Sequence, residues 1–393
     1  LGVATAWAGA RRSLADAPAP EGVPVPADRP VGSHVAAAVD ETMRAVWSAT
    51  ALLDPPPQPH AIADALRAAA ARHREDGILE DPSRAHPLPP ALEKPEIRRL
   101  PVRRAGEAEH LVYESEFEPG DPEVRDGYLG AVRNRTAHAY LWRHRDGPRP
   151  TLLCLHGYGM GRVAWDVGAW DVRWLHRELG LDVVLPVLPL HGPRALARRS
   201  GAGFLDAHPL WTNAAFAQAI WELRRLTGWL RSQGAPAVGV YGMSLGGYTT
   251  ALFASLERGL ACAVPSIPVA SLSRLLWRDM PEERRLASEA VGLDPQLLDD
   301  AWAPHAPLRH RPRVAPDARL IVAGAIDRIT PPDQALALWD HWERPALHWF
   351  PGSHLVPLGR AQTRARLASH LRAHLVRAPG GPALSHFRGR GES

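Results

Sequence analysis

Strand-like and helix-like segments alternate regularly along the chain between residues 109 and 376. Residues 151–155 form a short, continuously apolar run, which is typical of a strand buried on both faces. Strands and helices that alternate in this way form a mostly parallel sheet with helices on both faces. The sequence therefore predicts an α/β domain with an eight-stranded sheet. The predicted strands are 110–117, 138–144, 151–155, 181–188, 237–242, 261–267, 320–324 and 346–350, and the predicted helices are 170–179, 211–232, 248–257, 332–342 and 361–376.

Residues 1–105 differ from the rest of the chain and predict a Pro-rich, helical N-terminal extension. Residues 15–32 and 81–101 are rich in proline and lack periodicity, whereas two segments between them have apolar residues at helical spacing. Because apolar stripes need to be covered, we expect the extension to pack on the main domain, as an extension or a lid. The stripes are Val35, Val39, Met43, Val46 and Leu53 in a helix over 34–53, and Ile62, Leu66 and Ala69 in a helix over 61–73.

The main domain is predicted to span residues 106–378. Residues 268–317, between the sixth and seventh predicted strands, form an insertion of the kind that serves as a small cap. Residues 379–393 are rich in Gly, Pro and Arg and are expected to be a disordered tail.

Composition excludes several classes of protein. Of the 393 residues, 45% are hydrophobic and 22% are charged, which excludes wholesale disorder, a collagen-like fibre and a coiled coil. The net charge is only +4, and the basic clusters are short and interrupted by proline, so we expect no nucleic-acid partner. Cys154 and Cys262 are too few for a disulfide framework or a zinc site, and are expected to be buried thiols.

The sequence contains no apolar stretch near the roughly 18 residues that a transmembrane helix needs. The first ten residues are apolar, but no basic segment precedes them, which is not the order of a signal peptide. We therefore expect a soluble protein, with a cytoplasmic location slightly favoured over export. Residue 1 is Leu and not Met, so the sequence leaves export open.

A G-x-S-x-G pentapeptide lies where the predicted strand 237–242 passes into a helix, with Gly242, Ser244 and Gly246 in its fixed positions. A turn that presents a serine at the end of a strand is strained, and small flanking residues let the strand and helix backbones approach closely. The pentapeptide alone is also compatible with an ordinary Gly-rich turn. It identifies Ser244 as a candidate nucleophile.

Two further residues supply what a serine nucleophile needs, namely a histidine base oriented by a carboxylate. Asp327 follows the predicted strand 320–324, and His354 follows the predicted strand 346–350. The carboxyl ends of parallel strands meet at one edge of the sheet, where α/β proteins hold their ligands. The order Ser, Asp, His therefore predicts a catalytic triad of Ser244, Asp327 and His354.

An acyl-transfer enzyme also needs N–H groups directed at the oxyanion. The backbone N–H of Leu245, directly after the candidate nucleophile, is one expected donor. The second is expected from the loop His156-Gly157-Tyr158-Gly159 that follows the strand 151–155, with Tyr158 the first choice and Gly159 the second.

The stretch 109–376 resembles the α/β-hydrolase superfamily, specifically its serine esterase and lipase branch. The resemblance rests on the serine turn, on Asp327 and His354 after late strands, and on the HGYG loop, which departs from the HGGG form of the family. It implies the same triad and a cofactor-free hydrolysis of carboxylic esters through an acyl-enzyme, as in carboxylesterases. A serine nucleophile argues against the haloalkane dehalogenase and epoxide hydrolase members, which use a carboxylate. The first hundred residues match no family.

The same triad would also serve an amidase, a peptidase or a thioesterase, and an inactive hydrolase fold used as a binding protein is the alternative of another class. A small-molecule ester is the expected partner, and a homodimer is left open. No metal is expected, because His305, His310, Asp299 and Asp300 have no known ligand spacing. The candidate pocket residues are His156, His191, Trp277 and Trp302, with a turn histidine and plain cap core as the alternatives for His191 and the two tryptophans.

Overall fold

The computed structural model describes residues 32–51, 59–205 and 208–377, and side chains are described outside 46–51. Val46, Leu53 and the predicted tail 379–393 lie outside the residues or side chains described. A single nine-stranded sheet organises the described part of the chain. The strands are β1 (Glu96–Val102), β2 (Gly106–Glu114), β3 (Thr136–Trp142), β4 (Thr151–Leu155), β5 (Asp182–Pro186), β6 (Val238–Met243), β7 (Ala263–Ser266), β8 (Leu320–Gly324) and β9 (Ala346–Phe350). Their order in the sheet is β1-β2-β3-β5-β4-β6-β7-β8-β9.

The sheet is parallel over most of its width. Strands β5, β4, β6, β7, β8 and β9 pair in parallel, whereas β1, β2 and β3 form an antiparallel edge that joins β5. Every residue of β4, β5 and β8 is buried, as their apolar sequences predict. The predicted α/β class is therefore confirmed.

The prediction of eight strands is wrong by one, because β1 was not recognised. It pairs antiparallel with β2, from Glu96 opposite Val112 to Val102 opposite Gly106. Most of its residues are exposed on both faces, so the alternation that marks a half-buried strand is absent. It also contains Pro101, which an edge strand tolerates because one side of its backbone has no partner strand. The sheet thus begins within the segment that the sequence assigned to the N-terminal extension.

Eleven α-helices surround the sheet in the described residues. Six of them overlap helices that the sequence predicted, three lie in the insertion 268–317, and the two at 122–129 and 163–169 were not predicted. The predicted helix 170–179 is a π-helical turn, Trp174–Glu178, and a second π-helical turn, Arg372–Val376, closes the last helix. None of the described helices is both long and apolar enough to span a bilayer. The α-helices are α1 (Ser33–Ala51), α2 (Pro59–Glu75), α3 (Pro122–Leu129), α4 (Val163–Ala169), α5 (Pro209–Ser232), α6 (Leu245–Leu256), α7 (Leu272–Asp279), α8 (Glu282–Ala290), α9 (Pro295–Ala301), α10 (Pro332–His341) and α11 (Arg360–Leu371).

The cap insertion contains α7, α8 and α9, and it shares a second hydrophobic core with the N-terminal helix α2. From α2, Leu66 and Ala69 are buried there as predicted, and Ile62 packs partly against them. On the cap side, Leu298 and Trp302 complete this core. The extension therefore packs on the cap as well as on the main domain.

Helix α1 buries a different face from the one that its apolar residues predicted. Val35 is 67% exposed and Val39 is 39% exposed. The buried residues are instead Ser33, Ala36, Ala37 and Asp40, which also follow a helical spacing. Small side chains on this face let the helix approach the loops beneath it closely, and this close approach buries a carboxylate that hydrophobic periodicity could not reveal.

Candidate active site

Ser244 stands between β6 and α6 with φ of 56° and ψ of −116°, a conformation that few residues other than glycine adopt. The flanking glycines are required by close backbone contacts. A Cβ atom at Gly246 would lie 1.8 Å from the carbonyl oxygen of Leu155, and one at Gly242 would lie 2.1 Å from the carbonyl oxygen of Gly246. The G-x-S-x-G pattern is therefore demanded by the packing of this turn.

The structure brings the three residues of the predicted triad together. The Nε2 atom of His354 lies 3.0 Å from the hydroxyl oxygen of Ser244, and its Nδ1 atom lies 2.8 Å from Oδ2 of Asp327. The side chains of His354 and Asp327 are 7% and 1% exposed. With Nδ1 protonated, His354 donates to the carboxylate and accepts from the serine, which is the arrangement a general base needs.

The Asp327 carboxylate is held by the loop that follows β8. Its Oδ1 atom accepts the backbone N–H groups of Ile329 and Thr330 at 2.9 and 2.7 Å, and its Oδ2 atom accepts the Thr330 hydroxyl at 2.9 Å. These donors satisfy a buried charge and fix the carboxylate in one orientation. The remaining lone pair of Oδ2 points at His354.

The environment of His354 raises its pKa above the ordinary value of 6.5. Burial acts to lower the pKa, but the charge of Asp327 and its hydrogen bond outweigh burial. The more distant charge of Asp40 acts in the same direction. The imidazole is thus a stronger base than a free histidine, as proton abstraction from a serine hydroxyl requires.

The loop after β4 passes beside Ser244. A Cβ atom at Gly157 would lie 3.5 Å from Cβ of Ser244, so the backbone of this loop lies against the serine side chain. Gly159 has a positive φ of 82°, and the N–H of Leu245 belongs to the first turn of α6, where helical N–H groups have no intrahelical partner. The choice between Tyr158 and Gly159 as the second donor stays a prediction.

Comparison with known proteins identifies the fold around this site. The sequence is 38% identical over 287 residues to the uncharacterized protein MT2702 of Mycobacterium tuberculosis strain CDC 1551 / Oshkosh, covering 71% of this chain and 67% of the relative. It is 38% identical over 285 residues to the uncharacterized protein Rv2627c of strain ATCC 25618 / H37Rv, covering 70% and 66%. The match thus spans about two thirds of each relative. No family model matches the sequence.

Among solved structures, the acetyl xylan esterase 1 of Thermoanaerobacterium sp. JW/SL YS485 superposes with a TM-score of 0.54 at 16% identity, covering 75% of this chain and 93% of that one. The chain belongs to one family with the mycobacterial protein MT2702, and it has the fold of the acetyl xylan esterase. At 16% identity the structural likeness shows the fold alone.

His156 and His191, the two histidines predicted as pocket residues, are both buried, at 2% and 0% exposed. His156 is the first residue of the loop after β4, and the ring of His191 packs against that of His156. His156 donates from Nδ1 to the carbonyl of Gly157 at 2.9 Å and accepts the N–H of Leu188 at Nε2 at 3.0 Å. Burial lowers the pKa of His156 to about 4 and lowers the pKa of His191 well below the ordinary value of 6.5, so both stay neutral. They support the loop from below, with the ring of His191 edge-on to that of Tyr158.

The two candidate pocket tryptophans belong to the shared core of the cap and α2. Trp302 is buried and donates its indole N–H to the carbonyl of Pro209 at 3.0 Å. Trp277 is partly buried against the same core. The structure thus places both indole rings in or against this core, and a role of either residue in a substrate pocket stays a prediction.

Two buried carboxylates outside the triad hold loops of the site, and sequence reasoning missed both. Asp166, in α4, accepts the N–H of Gly161 at 2.9 Å and so ties down the end of the loop after β4. Burial raises its pKa to about 7. Asp40, in α1, bonds to the loops that carry Asp327 and His354. Neither carboxylate belongs to a sequence motif. The sequence shows only an acidic residue within a helix, and the burial of that residue depends on tertiary packing.

One group in the described residues has the composition of a metal site. The ligand atoms of His144, His176 and Asp182 lie within 4.8 Å of one another, beside a surface cavity of about 730 Å³. Asp182 begins β5, whereas Ser244 follows the end of β6, so this cluster is at the opposite edge of the sheet from the triad. Its carboxylate already accepts Nδ1–H of His144 at 2.9 Å and the N–H groups of His144 and Arg149.

The residues weighed as metal ligands from the sequence have other partners. His305 lies with Nδ1 2.6 Å from the hydroxyl of Tyr248, and His310 donates from Nε2 to the carbonyl of Pro304 at 2.9 Å. Asp299 accepts from the Ser273 hydroxyl and Asp300 pairs with Arg309. These contacts build the interior of the cap and its seam with the main domain.

Proposed function

We propose that the protein is a serine hydrolase that cleaves carboxylic esters through an acyl-enzyme intermediate. The observation that carries this proposal is the hydrogen-bonded chain from Ser244 through His354 to Asp327, with distances of 3.0 and 2.8 Å. Its position at the strand ends of an α/β-hydrolase fold supports the proposal. The resemblance to a fold that includes an acetyl xylan esterase is consistent with ester chemistry.

In the proposed reaction, the Ser244 oxygen attacks the ester carbonyl while His354 takes the hydroxyl proton at Nε2. Asp327 keeps Nδ1 protonated and stabilises the imidazolium that forms. The N–H groups of Leu245 and Tyr158, with Gly159 as the second choice, donate to the oxyanion. His354 then gives its proton to the departing alcohol, and water activated by the same imidazole releases the acid and restores Ser244.

The test is covalent labelling with a fluorophosphonate, followed by identification of the modified peptide. We expect one adduct, on Ser244, which disappears in Ser244→Ala. Ser255→Ala is the matched control, because Ser255 lies on the same helix α6 and bonds only to the Ala251 carbonyl among the described residues. A folded protein that forms no adduct would overturn the enzyme proposal in favour of an inactive binding protein.

The leaving group is tested with p-nitrophenyl esters of increasing chain length, a thioester and an anilide. Ester hydrolysis that falls by a factor of about 10⁴ or more in Ser244→Ala would support the proposal. Cleavage of the anilide or the thioester without the esters would replace it with an amidase or a thioesterase.

A further inference from the structure

Asp40 is a wholly buried carboxylate in the middle of α1, in the N-terminal segment and not in the hydrolase domain. Burying a charge is costly unless hydrogen bonds or an opposite charge compensate for it. In the described part of the chain, no basic side chain forms an ion pair with Asp40. Its compensation comes from hydrogen bonds alone, and those bonds identify what the residue does.

Four donors surround the carboxylate, and all come from two loops. Oδ1 accepts the hydroxyl of Ser353 at 2.9 Å and the N–H of Leu355 at 3.0 Å. Oδ2 accepts the N–H of His354 at 2.9 Å and the N–H of Arg328 at 3.1 Å. One side chain thus bonds to the residue after Asp327 and to the backbone of His354 itself.

These contacts place Asp40 between the two loops whose separation determines the triad. The loop after β8 carries the triad carboxylate, and the loop after β9 carries the triad imidazole. The two loops also bond to each other directly, because the N–H of Ile326 donates to the carbonyl of Gly352 at 3.2 Å. Among the described side chains, Asp40 is the one that bonds to the backbone of both loops. On the basis of the proposed function, we propose that Asp40 is a positioning residue that holds Asp327 and His354 at their catalytic separation, so that α1 is part of the active site.

The chemistry of the four donors explains why the residue is a carboxylate. An asparagine of the same shape would turn an N–H group toward at least one pair of donors and leave them unpaired. Since buried donors without acceptors are strongly disfavoured, the loops would shift to find other partners. A shift of about 1 Å at a catalytic group lowers rates by about 10²-fold.

The test compares Asp40→Asn with the parent enzyme on a p-nitrophenyl ester. We expect kcat to fall by about 10- to 100-fold with KM within about twofold of the parent. The acid limb of the pH profile of kcat/KM is expected to move to lower pH, because Asp327 and Asp40 are the carboxylates whose charges raise the pKa of His354. Glu41→Gln is the matched control, since Glu41 is the neighbouring acid on α1 and pairs with Arg44 on the surface side; we expect unchanged kinetics.

Ser353→Ala keeps the test decisive if Asp40→Asn does not fold. It removes one donor to Asp40, together with the contacts of the same hydroxyl with the Ala36 carbonyl and the Val356 N–H, and leaves the carboxylate and its three N–H contacts in place. We expect a loss of about 3- to 10-fold in kcat with an unchanged KM. Parental kcat and an unmoved acid limb in a folded Asp40→Asn would overturn the role of Asp40 alone. If Asp40→Asn does not fold, parental kcat in Ser353→Ala would overturn it. A parent protein without Ser244-dependent hydrolysis would overturn the proposed function and this inference with it.

Discussion

Replacing Glu222 with glutamine is expected to destabilise the fold more than an ordinary substitution, because it leaves a buried charge uncompensated. Glu222 lies on α5, and its carboxylate binds the guanidinium of Arg194 through two bonds of 2.6 and 2.7 Å. Arg194 is completely buried and also donates to the carbonyls of Val187 and Asn134. Burial acts to lower the pKa of Arg194, but the charge of Glu222 outweighs it, so the guanidinium stays charged.

The loss of unfolding free energy in Glu222→Gln depends on which contacts Arg194 keeps. The two carbonyls still accept from the guanidinium, but no negative charge faces it, and an amide nitrogen would oppose the donors of Arg194 or Gln218. Breaking a buried ion pair on one side costs about 3–5 kcal/mol of unfolding free energy. The exposed pair of Arg67 and Asp64 gives the comparison, since such pairs contribute about 0–1 kcal/mol.

The assay is equilibrium unfolding in urea, followed by tryptophan fluorescence, for Glu222→Gln and Asp64→Asn. We expect a lower midpoint with an unchanged slope for Glu222→Gln, and a change below about 0.5 kcal/mol for Asp64→Asn. A double substitution Arg194→Met/Glu222→Leu should recover part of the loss, because it removes both charges. A loss below about 1 kcal/mol for Glu222→Gln would refute the reasoning that this buried charge depends on its partner.

Two further predictions concern the catalytic turn and the base. Gly246→Ala should give no active folded enzyme, because its Cβ would lie 1.8 Å from the Leu155 carbonyl oxygen. Gly168→Ala is the control and should keep full activity, because no atom lies within 4 Å of the added Cβ. Circular dichroism checks the folding of both variants, and ester hydrolysis checks their activity. Because the pKa of His354 is raised, the rate should fall with decreasing pH from a point above 6.5, the ordinary value for histidine. Asp327→Asn should lower that point and reduce kcat by about 10⁴-fold, and an acid limb that does not move in Asp327→Asn would contradict the assignment of the base.

The chemistry-bearing part of the site could be predicted because it lies on strongly patterned elements. The strands β4, β8 and β9 have the bounds that the apolar runs predicted. Knowing where a buried parallel strand ends is enough to place the next polar residue at the catalytic edge. The structure accordingly brings Ser244, Asp327 and His354 into hydrogen-bond contact, as the order of these residues along the chain implied.

The parts that sequence reasoning missed depend on tertiary contacts and not on local pattern. Strand β1 is exposed on both faces and is held by pairing with β2, which no periodicity within its seven residues reports. Helix α1 carries two competing stripes, and the apolar one, with Val35 and Val39, is the one left exposed. The buried stripe contains Asp40, whose four donors come from residues nearly 300 or more positions away. Nothing near it in the sequence indicates those partners.

At Ser244, the side chain that the proposed reaction needs is not the one that gives the most stable fold. A residue other than glycine held at such dihedral angles carries about 1–3 kcal/mol of conformational strain, and the surrounding turn has to impose it. Glycine at position 244 would relieve that strain and remove the hydroxyl. The variant Ser244→Gly is therefore expected to be more stable than the parent protein and to be inactive. Selection for stability alone would not retain a serine at this position.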